Sequence, residues 1–251
     1  MHLSNQKIKN LLDENKDHEC EGLGEDHICV RIASIADLPS RFGDFHIAAF
    51  YNNRDDKEHL AIFKGDVIGA EDVPVRVHSE CLTGDAIGSL RCDCRDQLET
   101  ALTTIGQMDK GMVLYMRQEG RGIGLINKVR AYGLQDHGYD TVEANLALGF
   151  RDDEREYSSA AHMLFSLKIK SIQLMTNNPK KIEDLTQHGV KVKKRIPHII
   201  PPNEHNQFYL ETKASKSGHM IDFKGKEHLP EQSDLPLIQG MTSDQFAALQ
   251  N

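Results

Sequence analysis

No stretch of the chain approaches the roughly 18 consecutive apolar residues that a membrane-spanning helix needs. The first twenty residues, MHLSNQKIKNLLDENKDHEC, hold no apolar signal core. Basic charge is also in deficit. Thirty Lys and Arg stand against 38 Asp and Glu, a net charge of -8 with a pI near 5.9. A nucleic-acid binder normally carries a basic face. Neither a membrane nor a nucleic acid is therefore expected as a partner. Cysteines number five. Without a secretory leader they point to a reducing compartment, the cytoplasm, where clustered cysteine serves metal binding or catalysis rather than disulfides. There is no internal repeat, no spaced dinucleotide fingerprint and no P-loop ending in Lys-Ser/Thr. What remains is a water-compatible chain of 251 residues, 39% hydrophobic with a mean hydropathy of -0.51, long enough for one large domain or two small ones.

The chain is organised around residues 73–97, VPVRVHSECLTGDAIGSLRCDCRDQ, which carry Cys81, Cys92 and Cys94 as C-x10-C-x-C. Thiolates bind zinc strongly, and three protein ligands leave a fourth position for water, the pattern of catalytic rather than structural zinc. Residues i and i+2 point to opposite faces of a strand. Cys92 and Cys94 can thus share a metal only on a turn or a helix start. Asp93 and the polar residues after it fit a helix N-terminus, whose dipole favours thiolate. Three merely reduced core cysteines are the competing reading at this point.

Residues before about 25 are charged, weakly periodic and broken by Gly22 and Gly24, and read as a loosely held extension. From Ile28 regular patterning begins. Residues 44–51, 60–63 and 73–77 are short β-prone runs divided by Asn-Asn, Gly-Asp and Gly-Ala turn signals, with no room for helices between them, which predicts antiparallel strands. Val73, Val75 and Val77 alternate with Pro74, Arg76 and His78, so one face is apolar and the other leads Arg76, His78 and Glu80 towards Cys81. Beyond Cys94 the period changes. Leu98, Ala101, Leu102, Ile105 and Met108 make a helical stripe, and residues 112–116 a strand. A helix is expected through Leu125, Val129, Ala131 and Tyr132. The next would start near Asp152 and bury Tyr157, Ala160, Ala161, Leu164 and Phe165. A strand at 171–175 feeds a helix capped by Asn178 with Pro179 first, and 190–200 is a last strand. The expected fold is α+β or mixed α/β, an antiparallel β-rich N-terminal half followed by alternating helices and strands. Its parts are an extension (1–27), a core (28–211) and a polar tail (212–251).

Two segments suit phosphate. In QEGRGIGL (118–125) glycines let backbone N–H groups approach an anion at a helix start. TNNPKK (176–181) repeats that design with two lysines. DDEREY (152–157) reads on its own as a solvated helix start, although Arg155 is unexpected at the positive end of a helix.

RVHSECLTGD (76–85), LRCDC (90–94), RQEGRGIGL (117–125), RAYGLQD (130–136), DTVEAN (140–145), LGF with the following DER (148–155) and LMTNNPKK (174–181) together closely resemble GTP cyclohydrolase II, which opens riboflavin biosynthesis. The resemblance spans about residues 28–218. It implies zinc, one per subunit, on Cys81, Cys92 and Cys94 plus water, and GTP held by Arg76, Val77, His78, Ser79, Glu80, Gln97, Glu119, Gly120, Arg121, Thr141, Thr176 and Lys181. It also implies Arg155 as nucleophile on the α-phosphorus, Asp153 as acid–base group and Tyr132 in completing ring opening, with Mg2+ on the triphosphate and a homodimer. The implied reaction opens the guanine imidazole ring of GTP and releases formate and pyrophosphate. The two extensions and the charged pair Arg95-Asp96 depart from the compact family pattern.

Three rivals differ in kind. A zinc nucleobase deaminase would need an H-x-E combined with a P-C-x-x-C signature, a combination that is missing. A paralogue stopping at a formamidopyrimidine nucleotide is disfavoured by Tyr132. A zinc-stabilised module without catalysis would need a fourth ligand, for which His78 is the nearest candidate. The polar composition of the extensions predicts that they add little to the core, so a chain of about residues 28–220 should keep its fold and most of its activity.

Overall fold

The valine alternation of residues 73–77 becomes the middle of a seven-stranded sheet. The computed structural model describes residues 3–16, 28–201 and 206. Its strands are β1 (Val30–Ser40), β2 (Gly43–Asn52), β3 (Leu60–Lys64), β4 (Val73–Ser79), β5 (Gly111–Met116), β6 (Ile172–Met175) and β7 (Val192–Ile196), in the order β1-β2-β3-β5-β4-β6-β7. Its helices are α1 (Asn5–Lys16), α2 (Cys94–Gln107), α3 (Gly124–Asp136), α4 (Thr141–Ala147), α5 (Ser158–Ser166) and α6 (Pro179–Gln187). Leu82–Ala86 forms a π-helical turn and Glu119–Gly122 a 3-10 turn. The mixed α/β expectation holds, with an antiparallel strand region first and helices and strands after it.

Two details of the sheet differ from expectation. β1, an eleven-residue strand, pairs antiparallel with β2 across the turn between Ser40 and Gly43, where no strand was anticipated. β4 is not antiparallel: it lies between β5 and β6 and runs parallel to both. Short spacing to β3 suggested a hairpin, but the β4 ladder is completed by strands that follow it in sequence, each reached through helical segments as parallel pairing demands.

The sheet is covered on both faces. Val73, Val75 and Val77 face the larger core with Met112, Leu114, Ile172 and Leu174, and α5 and α6 close it with Leu164 and Leu185. Val113, Phe45 and Met175 face the other side, where α2 contributes Ala101, Leu102 and Ile105. Arg76 and His78 alternate onto the α2 side and are buried as well. The α2 stripe is therefore the one the sequence indicated. In α3 Ala131 is buried, but Leu125 and Val129 are exposed, and Lys128 and Leu134 are the residues buried beside Ala131. Phe165, expected inside α5, is partly exposed, and residues 152–157 precede that helix instead of starting it.

Residues 3–16 correct the reading of a loose N-terminal extension; 17–27 and the proposed tail at 212–251 lie outside the described residues. The Ser4 hydroxyl accepts from the Lys7 amide at 3.2 Å as an N-cap. Leu3 and Ile8 flank it in the spacing of a hydrophobic staple. Leu3 and Leu11 join the main core, with Ile8 and Leu12 packed against it. The Lys7–Asp66 pair at 2.5 Å is more than a third exposed on both sides and adds little; the apolar contact holds the helix. Cys29 is disulfide-bonded, a use of cysteine not anticipated, whereas Cys81, Cys92 and Cys94 are free thiols.

With Leu11 only 2% exposed, Leu11→Ala should lower unfolding free energy by about 2–4 kcal/mol. Urea denaturation followed by circular dichroism measures this, and a cost below about 0.5 kcal/mol would mean that α1 is not docked.

Candidate active site

In open sheets with parallel strands, ligands bind beyond the carboxyl ends of the strands, where successive connections leave on opposite faces. β4 leads to α2 on one face, while the connection from β5 to β6 runs through α5 on the other. The ends of β4, β5 and β6 deliver the three motif regions to that crevice: Ser79 to Cys81, Gln118 to Arg121, and Thr176 to Asn178.

Cys81 follows β4, and α2 begins at Cys94 with Asp93 as its N-cap, so Cys92 and Cys94 share the helix start that the C-x-C spacing required. The three sulfurs lie within 4.8 Å of one another, and Cys81 and Cys92 are 3.6 Å apart. Tetrahedral zinc with bonds of about 2.3 Å sets sulfurs about 3.8 Å apart, so the donor set fits zinc. Gly84 gives a second sign of fit. A Cβ there would sit 2.8 Å from Cys92 Sγ and 3.0 Å from Cys81 Sγ. The bare Cα is what lets the π-helical turn close over the cluster. Among the described residues no fourth His, Cys, Asp or Glu joins the group. Without metal, hydrogen bonds from Cys92 and Cys94 lower the Cys81 pKa, burial opposes them, and Lys128 adds to the lowering. In return, the hydrogen bond with Cys81 helps push Cys92 up to about 11.

His78 is engaged elsewhere. Its Nε2 lies 3.1 Å from both carboxylate oxygens of Asp85, which also accept from Tyr115 (2.8 Å) and the Cys81 amide (3.0 Å). Burial pushes the imidazole below its usual value against the pull of Asp85, and it is neutral at pH 7. Its Nδ1, like Arg76 Nε, is buried without a hydrogen-bond partner. Such atoms at strand ends await a polar ligand or water.

Arg76 donates to the Met175 carbonyl at 3.0 Å and to the Gln97 side chain. Burial lowers it to about 10, and it stays charged at neutral pH. Gln97 also bonds Asp93, and its carbonyl is 2.8 Å from His198 Nε2. Burial brings His198 down to about 4, so its imidazole is neutral and donates. Lys181 donates to the Val77 carbonyl at 2.9 Å and lies 5.3 Å from the centre of the Tyr157 ring. Thr176 is buried, its hydroxyl accepting from the Asn178 amide at 3.0 Å.

The glycine turn is folded tightly. Gly120 and Arg121 are left-handed, with φ of 61° and 58°. Gly122 lets residue 154 pass within about a carbon's contact, because a Cβ there would lie 3.1 Å from Glu154. Arg121 pairs with Asp152, and its carbonyl accepts from the Glu154 amide at 3.0 Å, which joins the glycine turn to the DDER segment. There Arg155 grips Asp153 through Nε (2.7 Å) and Nη2 (2.5 Å) and reaches Ser79 Oγ at 3.4 Å. Burial alone would raise the Asp153 carboxyl, but hydrogen bonds and charge from Arg155 hold it below its usual value. Tyr132 reaches Thr83 at 3.3 Å beside the cysteine turn. Glu80 pairs outward with Arg117 at 3.1 Å. Thr141 heads α4 beside the Asp140 cap, and α4 packs on α3.

Glu119 turns inward. It accepts from the Leu82 amide (2.6 Å), the Gly120 amide (2.8 Å) and Lys128 Nζ (2.8 Å). Lys128, Asp85, Tyr115 and His198 were not singled out from sequence. Lys128 carried a readable sign: it lies at i, i+3 and i+6 spacing with Ala131 and Leu134, the stripe that is buried.

An open sheet with three convergent cysteine sulfurs and cation-bearing turns at the ends of its parallel strands has the construction of an enzyme site that could hold a metal. The family described as GTP cyclohydrolase II matches residues 30–197. The chain is 58% identical over 192 residues to a GTP cyclohydrolase-2 of Picrophilus torridus, covering 76% of this chain and all of that one. It is 56% identical over 193 residues to another from Campylobacter hominis, covering 77% and 96%. It is 53% identical over 194 residues to the riboflavin biosynthesis protein RibBA of Synechocystis, covering 76% of this chain and 35% of that one. The chain belongs to the GTP cyclohydrolase II family, hydrolases of riboflavin biosynthesis.

Gly84→Ala should leave the sheet intact yet reduce bound metal to well below one equivalent, because the methyl group occupies space beside two sulfurs. Elemental analysis of folded protein checks this, and a full metal load would show that the turn yields.

Proposed function

We propose that the chain opens the guanine imidazole ring of GTP in a zinc-dependent hydrolysis that releases formate and pyrophosphate, leaving the diamino-ribosylamino-pyrimidinone phosphate precursor of riboflavin. The observation that carries this reading is the contact of Arg155, paired with Asp153, to Ser79 Oγ, on the end of β4 two residues before Cys81 of the cysteine cluster. Zinc on Cys81, Cys92 and Cys94 would supply a Lewis acid and a water acidic enough to react at neutral pH. The protein's own groups do the rest. The unpartnered Arg76 Nε and His78 Nδ1, with Gln97, offer polar contacts to the substrate. Val77, Ser79, Glu80, Gly120, Arg121, Thr141, Thr176 and Lys181 complete the binding set that the family resemblance implies. Magnesium would arrive on the triphosphate, whose oxygens it prefers.

Arg155 is the candidate nucleophile. A guanidinium is a poor one while protonated, and the carboxylate of Asp153, already hydrogen-bonded to Nε and Nη2, is placed to take the proton. A nitrogen–phosphorus bond would form at the α-phosphorus as the bond to the bridging oxygen breaks and pyrophosphate leaves. Water would later release the nucleotide. Tyr132, set beside the cysteine turn through Thr83, favours full ring opening over a paralogue's formamidopyrimidine product. A non-catalytic module is disfavoured because His78, its expected fourth ligand, is held by Asp85.

The same reading includes a homodimer, and Leu125, Ile126 and Val129 on the outer side of α3 give it an apolar surface, Ile126 being 72% exposed. We place the catalytic domain at 28–211 and the chain in the cytoplasm. Three adjacent free thiols support that location, and the disulfide at Cys29 is the one feature pointing the other way. Among the described residues no helix is long and apolar enough to cross a membrane.

Incubation with GTP and Mg2+ should yield formate, pyrophosphate and the pyrimidine. Cys92→Ser should lose zinc and formate release while retaining some pyrophosphate release. Formate at the normal rate from zinc-depleted protein would remove the metal from the reaction. Arg155→Lys keeps the charge but not the planar fork, and should not turn over. Mass spectrometry of quenched wild-type protein should find a guanylyl adduct that vanishes in Arg155→Ala. Substantial turnover in the Lys variant would reduce Arg155 to a phosphate contact.

A further inference from the structure

The structure assigns Lys128 a role as a positioning residue of the thiolate cluster: held by Glu119, its ammonium donates to Cys81 and weakens that sulfur as an electron donor to the bound metal. The inference rests on the metal reading given above. Lys128 Nζ lies 3.0 Å from Cys81 Sγ and 2.8 Å from Glu119 Oε1, and the residue is buried. Lysine is seldom buried without a specific partner, and here the partners are a carboxylate and a sulfur of the cluster.

The surroundings are built to keep the ammonium there. Glu119 is itself fixed by the Leu82 and Gly120 amides. Gly120 has no side chain where a Cβ would meet Lys128 Cβ at 3.1 Å, so the left-handed glycine both turns the loop and clears the path of the lysine. The result is a strut from the glycine turn to the first cysteine.

Three thiolates around a divalent ion leave a net charge of about -1. Electron-rich sulfurs make the metal a weaker Lewis acid. A cationic N–H donor on one sulfur draws charge back, in the way that groups beyond the ligands tune a metal. Lys128 sets a positive charge directly against one sulfur, with Glu119 on its far side holding it there, without occupying a coordination position. It thereby reconciles a soft, strongly held donor set with a metal that must still polarise what binds at the open position.

The test uses cobalt(II) as a probe in the full-length protein stripped of its native metal. Wild-type protein should take up one equivalent and show a thiolate-to-cobalt charge-transfer band. In Lys128→Met the band should move to longer wavelength, because a sulfur without its cationic donor gives up electrons more easily. Lys128→Arg should return it towards the wild-type position. Lys128→Gln, similar in length and polar, serves if the Met variant fails to fold, and should shift in the same direction. An unmoved band in a folded, fully loaded neutral variant overturns the role of Lys128 and leaves the metal site standing. Failure of wild-type protein to bind cobalt through thiolate overturns the metal reading itself, and this inference with it.

Discussion

β4 is buried on both faces and hydrogen-bonded on both edges, and the rest of the molecule is arranged to satisfy it. Every backbone group of such a strand must find a ladder partner, since water cannot reach it. Parallel neighbours meet that demand at the cost of long crossovers, and those crossovers are the helices that seal the sheet. Odd-numbered valines go to the larger core and even-numbered Arg76 and His78 to the α2 side. One strand thus anchors the apolar interior and delivers the first polar groups of the site.

The site is dense in charge within a protein whose net charge is -8. Arg121, Lys128 and Arg155 each face a carboxylate, from Asp152, Glu119 and Asp153. Partly buried ion pairs contribute little net stability, since desolvation offsets attraction. Their value lies in geometry. A cation held by a carboxylate keeps its orientation, and these three pairs join the glycine turn, the DDER segment and the cysteine turn into one framework. Conversely, Arg76 Nε and His78 Nδ1 keep hydrogen-bonding capacity that the fold does not use.

The thiolate cluster was legible because its constraint is local. A C-x-C pair must lie on a turn or helix start to converge, and α2 does begin at Cys94. The α2 stripe and the Asn178-Pro179 helix start were legible for the same reason: period and capping act within a few residues. The N-cap and staple at Leu3, Ser4 and Ile8 were equally local, but the charge of the segment outweighed them in the reading. The DDER segment misled in the opposite way. Its acidic start imitates a first helical turn, yet Asp152, Asp153 and Glu154 are used by Arg121, Arg155 and Arg151.

By itself the sequence determined the cysteine cluster, where most elements start, and the family to which the chain belongs, because spacing, capping and motif order are properties of neighbours along the chain. Tertiary structure alone decided that β4 runs parallel between two later strands, that Lys128 rather than Leu125 turns inward on α3, and that Glu119 braces a lysine against Cys81. These outcomes depend on groups far apart in sequence competing for the same buried space and the same hydrogen-bond partners. A periodicity of one segment carries no record of which neighbour will cover it.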